Sequence, residues 1–213
     1  MTERTQAPLD PSDRESTDRR DELLAAGLHL FSSQAYDELS IDAIAAEAGV
    51  AKGLLYYYFG SKRGFYVALI EQAARGMRER AATDLELPPR ERLEHALDAH
   101  LSYAGEHSAG YRTLLAGGVG SDPEVRAILD RERATFLAMI VEGLGDDVKL
   151  TGALEIALYG WFGFVEDTTL RWLQRGGLER GEVLELLVES LRGVLTAAGV
   201  VDASLRGLDA RLS

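Results

Sequence analysis

Apolar residues recur every three or four positions along nearly the whole of this chain, and runs that alternate apolar and polar residues are absent. The first spacing is that of an amphipathic α-helix, whereas alternation would indicate a β-strand. The pattern therefore predicts an all-α fold of about nine helices, separated by glycine, proline and serine residues. The predicted helices cover about residues 17–33, 41–48, 51–58, 62–82, 90–106, 109–116, 123–144, 150–174 and 181–198.

The chain divides into an N-terminal arm and two helical domains. Residues 1–16 are polar and carry charges of both signs, so we expect a disordered arm rather than a secretory signal. Residues 17–77 would form a small N-terminal domain, and residues 78–213 a larger one. No run approaches the roughly 18 apolar residues that span a bilayer, and the chain has no cysteine. Both features fit a protein of the reducing cytoplasm.

The segment from Ser40 to Phe59 has the pattern of a helix-turn-helix. Ser40 can cap a short helix, Gly49 gives the backbone freedom for a sharp turn, and a second short helix follows. Ser61 then starts a long helix, where Lys62 adds a positive charge. A helix N-terminus beside a lysine binds phosphate readily, so these features predict a DNA-binding face.

The distribution of charge restricts nucleic-acid binding to this one place. A net charge of −12 argues against a protein that coats nucleic acid over its whole surface. Between Glu47 and Glu71, however, there is no acidic residue, while Lys52, Lys62 and Arg63 all lie there. We therefore expect one basic face, on which Lys62 and Arg63 contact phosphate.

These residues resemble the DNA-binding domain of the TetR family of bacterial regulators over about residues 18–74. The resemblance rests on the Ser-Ile-x-x-Ile-Ala-x-x-Ala-Gly-Val start at Ser40, the Lys-Gly-x-Leu-Tyr-x-Tyr-Phe middle and the Ser-Lys-Arg that follows. It implies phosphate contacts from Ser40, Tyr56, Tyr58 and Lys62. It places Lys52, Gly53, Leu54 and Tyr57 on the recognition helix, against the major groove.

Three residues depart from the usual pattern of the family. Ala35 stands where a glycine commonly ends the first helix, and Ala51 replaces the hydroxyl residue that usually caps the recognition helix. Leu54 replaces a common threonine or serine, which suggests contact with a thymine methyl group instead of a hydrogen bond. These departures bear on which operator sequence is bound.

The resemblance also implies a function for residues 78–213. This part fits the family's ligand-binding and dimerisation domain, which makes the expected protein a homodimeric repressor. Its partners would be a pseudo-palindromic double-stranded DNA operator, a second copy of itself and a small, mostly apolar effector.

Aromatic and soft residues on the central helices are candidates for the ligand pocket, although each residue alone is more often ordinary core than a ligand contact. They are Tyr103, Tyr111, Phe136, Met139, Tyr159 and Phe162. The predicted helix 150–174 is apolar nearly all round, which indicates burial on more than one side. By resemblance the last two long helices pair with their copies in a four-helix bundle. The candidate interface residues are Gly160, Trp161, Phe164, Trp172, Leu187 and Leu191.

Metal, cofactor and enzymatic chemistry are not expected. His95, His100 and His107 are spaced five and seven residues apart, which places them poorly on one helical face. Two alternatives stay open beside the ligand-responsive repressor: a DNA-binding dimer without an effector, and a helical carrier or enzyme, although paired catalytic groups are lacking. An enclosed cavity on the order of several hundred cubic ångströms in the second domain would favour the ligand hypothesis.

Overall fold

The computed structural model describes residues 11–31, 40–82, 86–116 and 122–212. Within these residues the chain forms nine α-helices and no strand, which confirms the predicted all-α fold. The helices are α1 (Pro11–Phe31), α2 (Ile41–Glu47), α3 (Lys52–Phe59), α4 (Lys62–Ala81), α5 (Pro89–Glu106), α6 (Ser108–Ala116), α7 (Pro123–Leu144), α8 (Gly152–Arg175) and α9 (Arg180–Val201). Two short 3₁₀ helices, Ala203–Leu205 and Leu208–Leu212, follow α9.

Helical structure extends beyond the predicted helices at both ends of the chain. Helix α1 begins at Pro11, so the last part of the predicted arm is helical, because proline is well suited to the first position of a helix. Residues 1–10 and Ala35 lie outside the described residues. At the other end, the segment after α9 folds back on the domain, since Leu205, Leu208 and Leu212 are buried. Burial of these leucines holds the 3₁₀ helices against the core.

The first hydrophobic core joins α1 to α4. Leu23 and Leu24 of α1 pack with Ile44 of α2, Leu55 of α3 and the run 65–70 of α4. The start of α7 also enters this core, because Val125 and Ile128 are buried in the same cluster. The small domain is therefore packed directly onto a helix of the large one.

The second hydrophobic core lies among α5, α7, α8 and α9. Leu101, Leu154, Leu158, Leu187 and Leu191 have no exposed side-chain surface, and the leucines after α9 complete the cluster. Among the described residues, none of the helices combines the length and hydrophobicity that crossing a lipid bilayer requires.

Helix α4 packs in the first core and is bonded along its length to α7, which contributes residues to both cores. Arg63 at its start binds Asp122, with Nε 2.6 Å from the carboxylate. Glu71 in the middle of α4 lies 3.4 Å from Arg131, and Arg78 near its end forms an ion pair with Glu132. A displacement of α7 would therefore be transmitted to the helix that follows the helix-turn-helix.

Candidate DNA-binding surface and ligand cavity

Hydroxyl caps and glycine turns fix the helix-turn-helix. The Ser40 hydroxyl oxygen accepts a hydrogen bond from the backbone N–H of Ala43 at 3.0 Å, which caps α2 as predicted. Gly49, between α2 and α3, has φ = 65°, a backbone conformation that costs glycine little. Ala51 precedes α3 without a side-chain cap, so the recognition helix is held by packing and turns rather than by a capping side chain.

The turn from α3 to α4 depends on a glycine that the sequence analysis did not single out. The Ser61 hydroxyl accepts from the backbone N–H of Gly64 at 3.0 Å. A Cβ atom on Gly64 would overlap the carbonyl oxygen of Phe59. The signal was present in the sequence, since a glycine in the first turn of a long helix is unfavourable unless close packing requires it. Lys62 is the first residue of α4, at the helix N-terminus that this turn presents.

The residues of α3 divide into an exposed set and a packed set. Tyr57 is 79% exposed and Tyr56 44% exposed. Gly53 faces open space, because a Cβ built there has no neighbour within 4 Å. Leu54 and Tyr58 are half-buried and pack against the first core. Part of the Leu54 side chain is therefore buried, which leaves less of its surface for the predicted contact with a thymine methyl group.

The basic residues near α3 do not all face the same way. Lys52 binds Asp42 through a 2.9 Å contact between Nζ and the carboxylate, and this hydrogen bond raises the pKa of Lys52. Arg63, predicted to contact phosphate, pairs with Asp122 and Glu124 of the second domain. The Arg63 guanidinium lowers the pKa of Asp122 to about 2. Two carboxylates at the start of α7 thus compete with phosphate for the Arg63 side chain, whose phosphate contact stays a prediction.

An apolar cavity of about 220 Å³ lies between α4 and helices α5 to α8. Five of the six predicted pocket residues line it, namely Tyr103, Tyr111, Phe136, Met139 and Phe162. Tyr159 does not line this cavity and is 41% exposed. It lines a separate pocket against Leu137 and Val141 of α7, so the prediction that it shares one cavity with the other five residues is wrong. Periodicity alone did not separate the two sides of a helix that is apolar nearly all round.

A group of polar side chains is set into one wall of the cavity. His100 Nε2 lies 3.3 Å from both the Tyr111 hydroxyl and the Thr169 hydroxyl. Burial lowers the pKa of His100 to about 4, so the ring is neutral at pH 7. Burial also raises the pKa of Tyr111. Beside them, Arg133 holds Glu166 through two contacts of 2.9 Å, which leaves the charges on this wall compensated.

Three of the predicted interface residues belong to the interior of a single chain. Leu187 and Leu191 have no exposed surface, and Trp161 is 2% exposed. The Trp161 indole N–H donates to the Ser190 hydroxyl of α9 at 2.9 Å, which turns the ring inward. Their assignment to an interface is therefore wrong. Trp172 is half-buried and donates to the carbonyl oxygen of Leu178 within the same chain.

The outward face of α8 and α9 carries a different set of apolar residues. Gly160 and Phe164, both predicted for the interface, are exposed there. Ile156 is 76% exposed and Val200 78% exposed, and these two were missed. Gly163 presents open backbone beside them, with no neighbour within 4 Å of a built Cβ. Within the described residues, no group of three or more histidine and carboxylate side chains is placed to hold a metal ion.

The chain is similar to known regulators over most of its length. Residues 23–69 match the family profile described as bacterial regulatory proteins, tetR family, and residues 89–193 match the tetracyclin repressor-like C-terminal domain. The crystal structure of a tetR-family transcriptional regulator from Streptomyces coelicolor superposes with a TM-score of 0.84 at 28% identity. That match covers 92% of this chain and 88% of the other.

Two curated relatives extend the comparison. The HTH-type transcriptional activator FasR of Mycolicibacterium smegmatis is 32% identical over 114 residues, which are 52% of this chain and 51% of that protein. The chain thus matches about half the length of this relative. The fatty acid metabolism regulator protein of Bacillus subtilis is 24% identical over 182 residues, covering 80% of this chain and 94% of that protein. With both family profiles matched in order, this chain belongs to the TetR family of bacterial DNA-binding transcriptional regulators.

Proposed function

We propose that this protein is a homodimeric repressor that leaves its operator when a mostly apolar ligand enters the cavity. The observation that carries the proposal is the position of α4. Its first residue, Lys62, stands beside the recognition helix, while Ala73, Ala74 and Met77 further along the same helix line the cavity. One helix therefore joins the DNA-binding surface to the ligand site.

The proposed operator contact uses the exposed side of α3 and the two helix N-termini near it. Tyr56 and Tyr57 would reach the DNA from α3, and Gly53 would let the backbone approach the major groove closely. Ser40 and Lys62 would bind phosphate at the starts of α2 and α4. In a two-fold dimer the recognition helices would meet half-sites one helical turn apart, roughly 34–36 Å, or a multiple of that distance.

The proposed dimer forms through the outward face of α8 and α9. Exposed apolar side chains such as Ile156, Phe164 and Val200 lie there beside Gly160 and Gly163. Apolar side chains favour association, while glycines allow two helices to approach closely. A second copy placed on this face would remove these side chains from water and fix the separation of the two recognition helices.

We propose an acyl chain as the apolar part of the ligand. The cavity wall is built mainly of leucine, alanine, methionine and aromatic side chains, which suit a flexible hydrocarbon. The relative from Bacillus subtilis, named for fatty acid metabolism, aligns over 80% of this chain and supports the same ligand class. Filling the cavity would press on Ala74 and Met77 and so move α4 relative to α7.

Operator binding is tested by fluorescence anisotropy on DNA from upstream of the protein's own gene, across a salt series. The variant Lys62→Ala should bind more weakly and show a salt slope shallower by about one, as expected for one lost phosphate contact. Lys149→Ala changes an exposed lysine outside the proposed surface and should bind like the wild type. Absence of sequence-specific binding, on this DNA or on a random-site library, would contradict the proposal.

The effector part is tested by adding medium-chain acyl compounds to the protein–operator complex. We expect operator affinity to fall roughly 5- to 150-fold, the usual range for allosteric coupling. A reporter gene placed behind the operator then distinguishes repression from activation. A compound that occupies the cavity and stabilises the protein without changing operator affinity would favour a DNA-binding dimer without an effector.

A further inference from the structure

Two charged side chains that line the cavity, Arg92 and Glu142, form no ion pair with any described residue. Arg133 is paired with Glu166, and Glu132 is paired with Arg78. Arg92 also lines the cavity, yet its guanidinium makes no hydrogen bond or ion pair with any described residue. A half-buried guanidinium that loses part of its hydration without gaining a partner raises the free energy of the folded protein. A ligand that supplied the missing anion would remove this penalty.

Arg92 lies where the cavity opens to solvent. Among the described residues that line the cavity, Met139 and Glu142 alone are exposed, which places the opening near the end of α7. The Arg92 guanidinium lies over the same turn, because Nη2 is 2.8 Å from the position that a Cβ on Gly143 would occupy. Gly143 therefore leaves the space in which the guanidinium sits, at the boundary between the apolar interior and water.

We propose that Arg92 binds the anionic head group of an amphiphilic effector, an inference that rests on the proposed effector function. A planar guanidinium binds carboxylate or phosphate oxygens in pairs, with a geometry that an alcohol cannot match. The apolar tail then extends inward, towards Phe136 and Phe162. Glu142, beside this head-group site, opposes a second negative charge and limits the charge that the site accepts.

The arrangement predicts which amphiphiles bind well. At equal chain length, an anion should bind more tightly than a neutral alcohol, because only the anion pairs with Arg92. The interior wall contributes equally to both ligands through the shared hydrocarbon. The difference in affinity between the two therefore isolates the head-group site from the rest of the cavity.

The test is calorimetric titration of the full-length protein with decanoate and decyl phosphate below their critical micelle concentrations and with decan-1-ol below its solubility limit. The wild type should bind decanoate roughly tenfold more tightly than decan-1-ol, as one charge-assisted hydrogen bond allows. Arg92→Gln should abolish that difference by weakening decanoate and leave decan-1-ol within about twofold, a bound set by the unchanged apolar burial. Decyl phosphate distinguishes a site for either oxyanion from one that takes carboxylates alone.

Two further variants sharpen the result. Glu142→Gln should strengthen the binding of both anions, since it removes a like charge near the head group. Arg126→Gln removes the same charge from an exposed position on α7 that does not line the cavity, and it should leave all affinities unchanged. If Arg92→Gln does not fold, Arg92→Lys serves in its place, because a lysine keeps the charge but loses the paired geometry.

The outcomes separate this inference from the proposed function beneath it. Equal binding of decanoate and decan-1-ol by the wild type, or an unchanged ratio in Arg92→Gln, overturns the role of Arg92 and leaves the effector proposal standing. Binding of none of the three compounds by a protein that still binds its operator overturns both. A decanoate preference that disappears in Arg92→Gln but persists in Arg126→Gln supports the assignment.

Discussion

The two halves of helix α4 are built differently. Every residue from Phe65 to Ile70 is buried, in the core shared with α1, α3 and the start of α7, and of these six residues Ile70 alone also lines the cavity. From Glu71 onward the side chains are exposed or half-buried until Ala81. The second half borders the cavity instead of a filled core, with Ala73, Ala74 and Met77 in its wall.

This difference assigns separate physical roles to the two halves. A closely packed segment transmits displacement with little deformation, because interiors are as dense as organic crystals. A segment beside free volume can shift at a smaller cost, since fewer contacts change. The second half is therefore where a ligand can act, and the first half carries the movement to Lys62 and the recognition helix.

The largest effect on stability and operator binding is expected from a methyl group added at the start of the closely packed first half of α4. Gly64→Ala places a Cβ against the carbonyl oxygen of Phe59, and neither backbone can move without opening the turn between α3 and α4. We expect a loss of about 1–3 kcal/mol in the free energy of unfolding, as for other overpacked sites, and severe loss of operator binding. Urea unfolding and anisotropy measure the two quantities.

Gly76→Ala is the matched control in the second half of the same helix. A Cβ there meets no atom within 4 Å, so alanine should stabilise the protein by up to about 1 kcal/mol through its better helix propensity. Equal destabilisation by both substitutions would remove the proposed difference between the halves.

A second pair of variants tests free volume directly. Ala68→Leu adds atoms to the filled first core and should lower the free energy of unfolding by about 1–3 kcal/mol. Ala74→Leu adds the same atoms to the cavity wall and should cost less than about 1 kcal/mol, because space is already present. The Ala74 variant should keep operator binding and lose affinity for decan-1-ol, as anisotropy and calorimetry would show. Similar costs at both positions would indicate that the cavity closes in solution.

The helix-turn-helix and the first half of α4 were also easier to predict from the sequence than the rest of the molecule. Backbone turns and caps demand particular residue types at fixed spacings, so Ser40, Gly49 and Ser61 could be recognised directly. Helix α4 was predicted within a residue of its end for the same reason. The ion pairs of Arg63 could not be predicted, because its partners at the start of α7 are distant in sequence and a charge pattern does not reveal long-range pairing.

The cavity and the outward face of α8 could be recognised only from the three-dimensional structure. In a helix that is apolar nearly all round, periodicity predicts burial but not what each side buries. For this reason the buried Trp161 was predicted to lie in the dimer interface, and the exposed Tyr159 was predicted to line the cavity. No role was predicted for Arg92 from the sequence, because an arginine in the first turns of an amphipathic helix is usually solvated. Only its position at the cavity opening distinguishes it.

Acidic pH should lower the free energy of unfolding through His100, which lines the cavity. Because the pKa of His100 is lowered to about 4 from an ordinary value of 6.5, the unfolded chain takes up this proton first as pH falls. Stability from this group is therefore fully present above about pH 6.5 and is lost progressively towards pH 4. Urea unfolding at pH 7, 6 and 5 should show a smaller loss for His100→Asn than for the wild type. Parallel curves would mean that the ring is protonated as easily in the folded protein as in the unfolded chain.

The smallest effect is expected at the ion pair between Arg78 and Glu132, which links the second half of α4 to α7. Glu132 is largely buried while Arg78 is partly exposed, so a double-mutant cycle with Arg78→Met and Glu132→Gln should give a coupling of about 1 kcal/mol or less. The exposed pair Arg171 and Asp167 provides the comparison and should couple more weakly. If breaking the first pair also diminishes the effect of a bound ligand on operator affinity, the ion pair is part of the connection to DNA. If the ligand acts undiminished, the movement passes through the packed side chains of α4 alone, and the difference between its halves is sufficient to explain it.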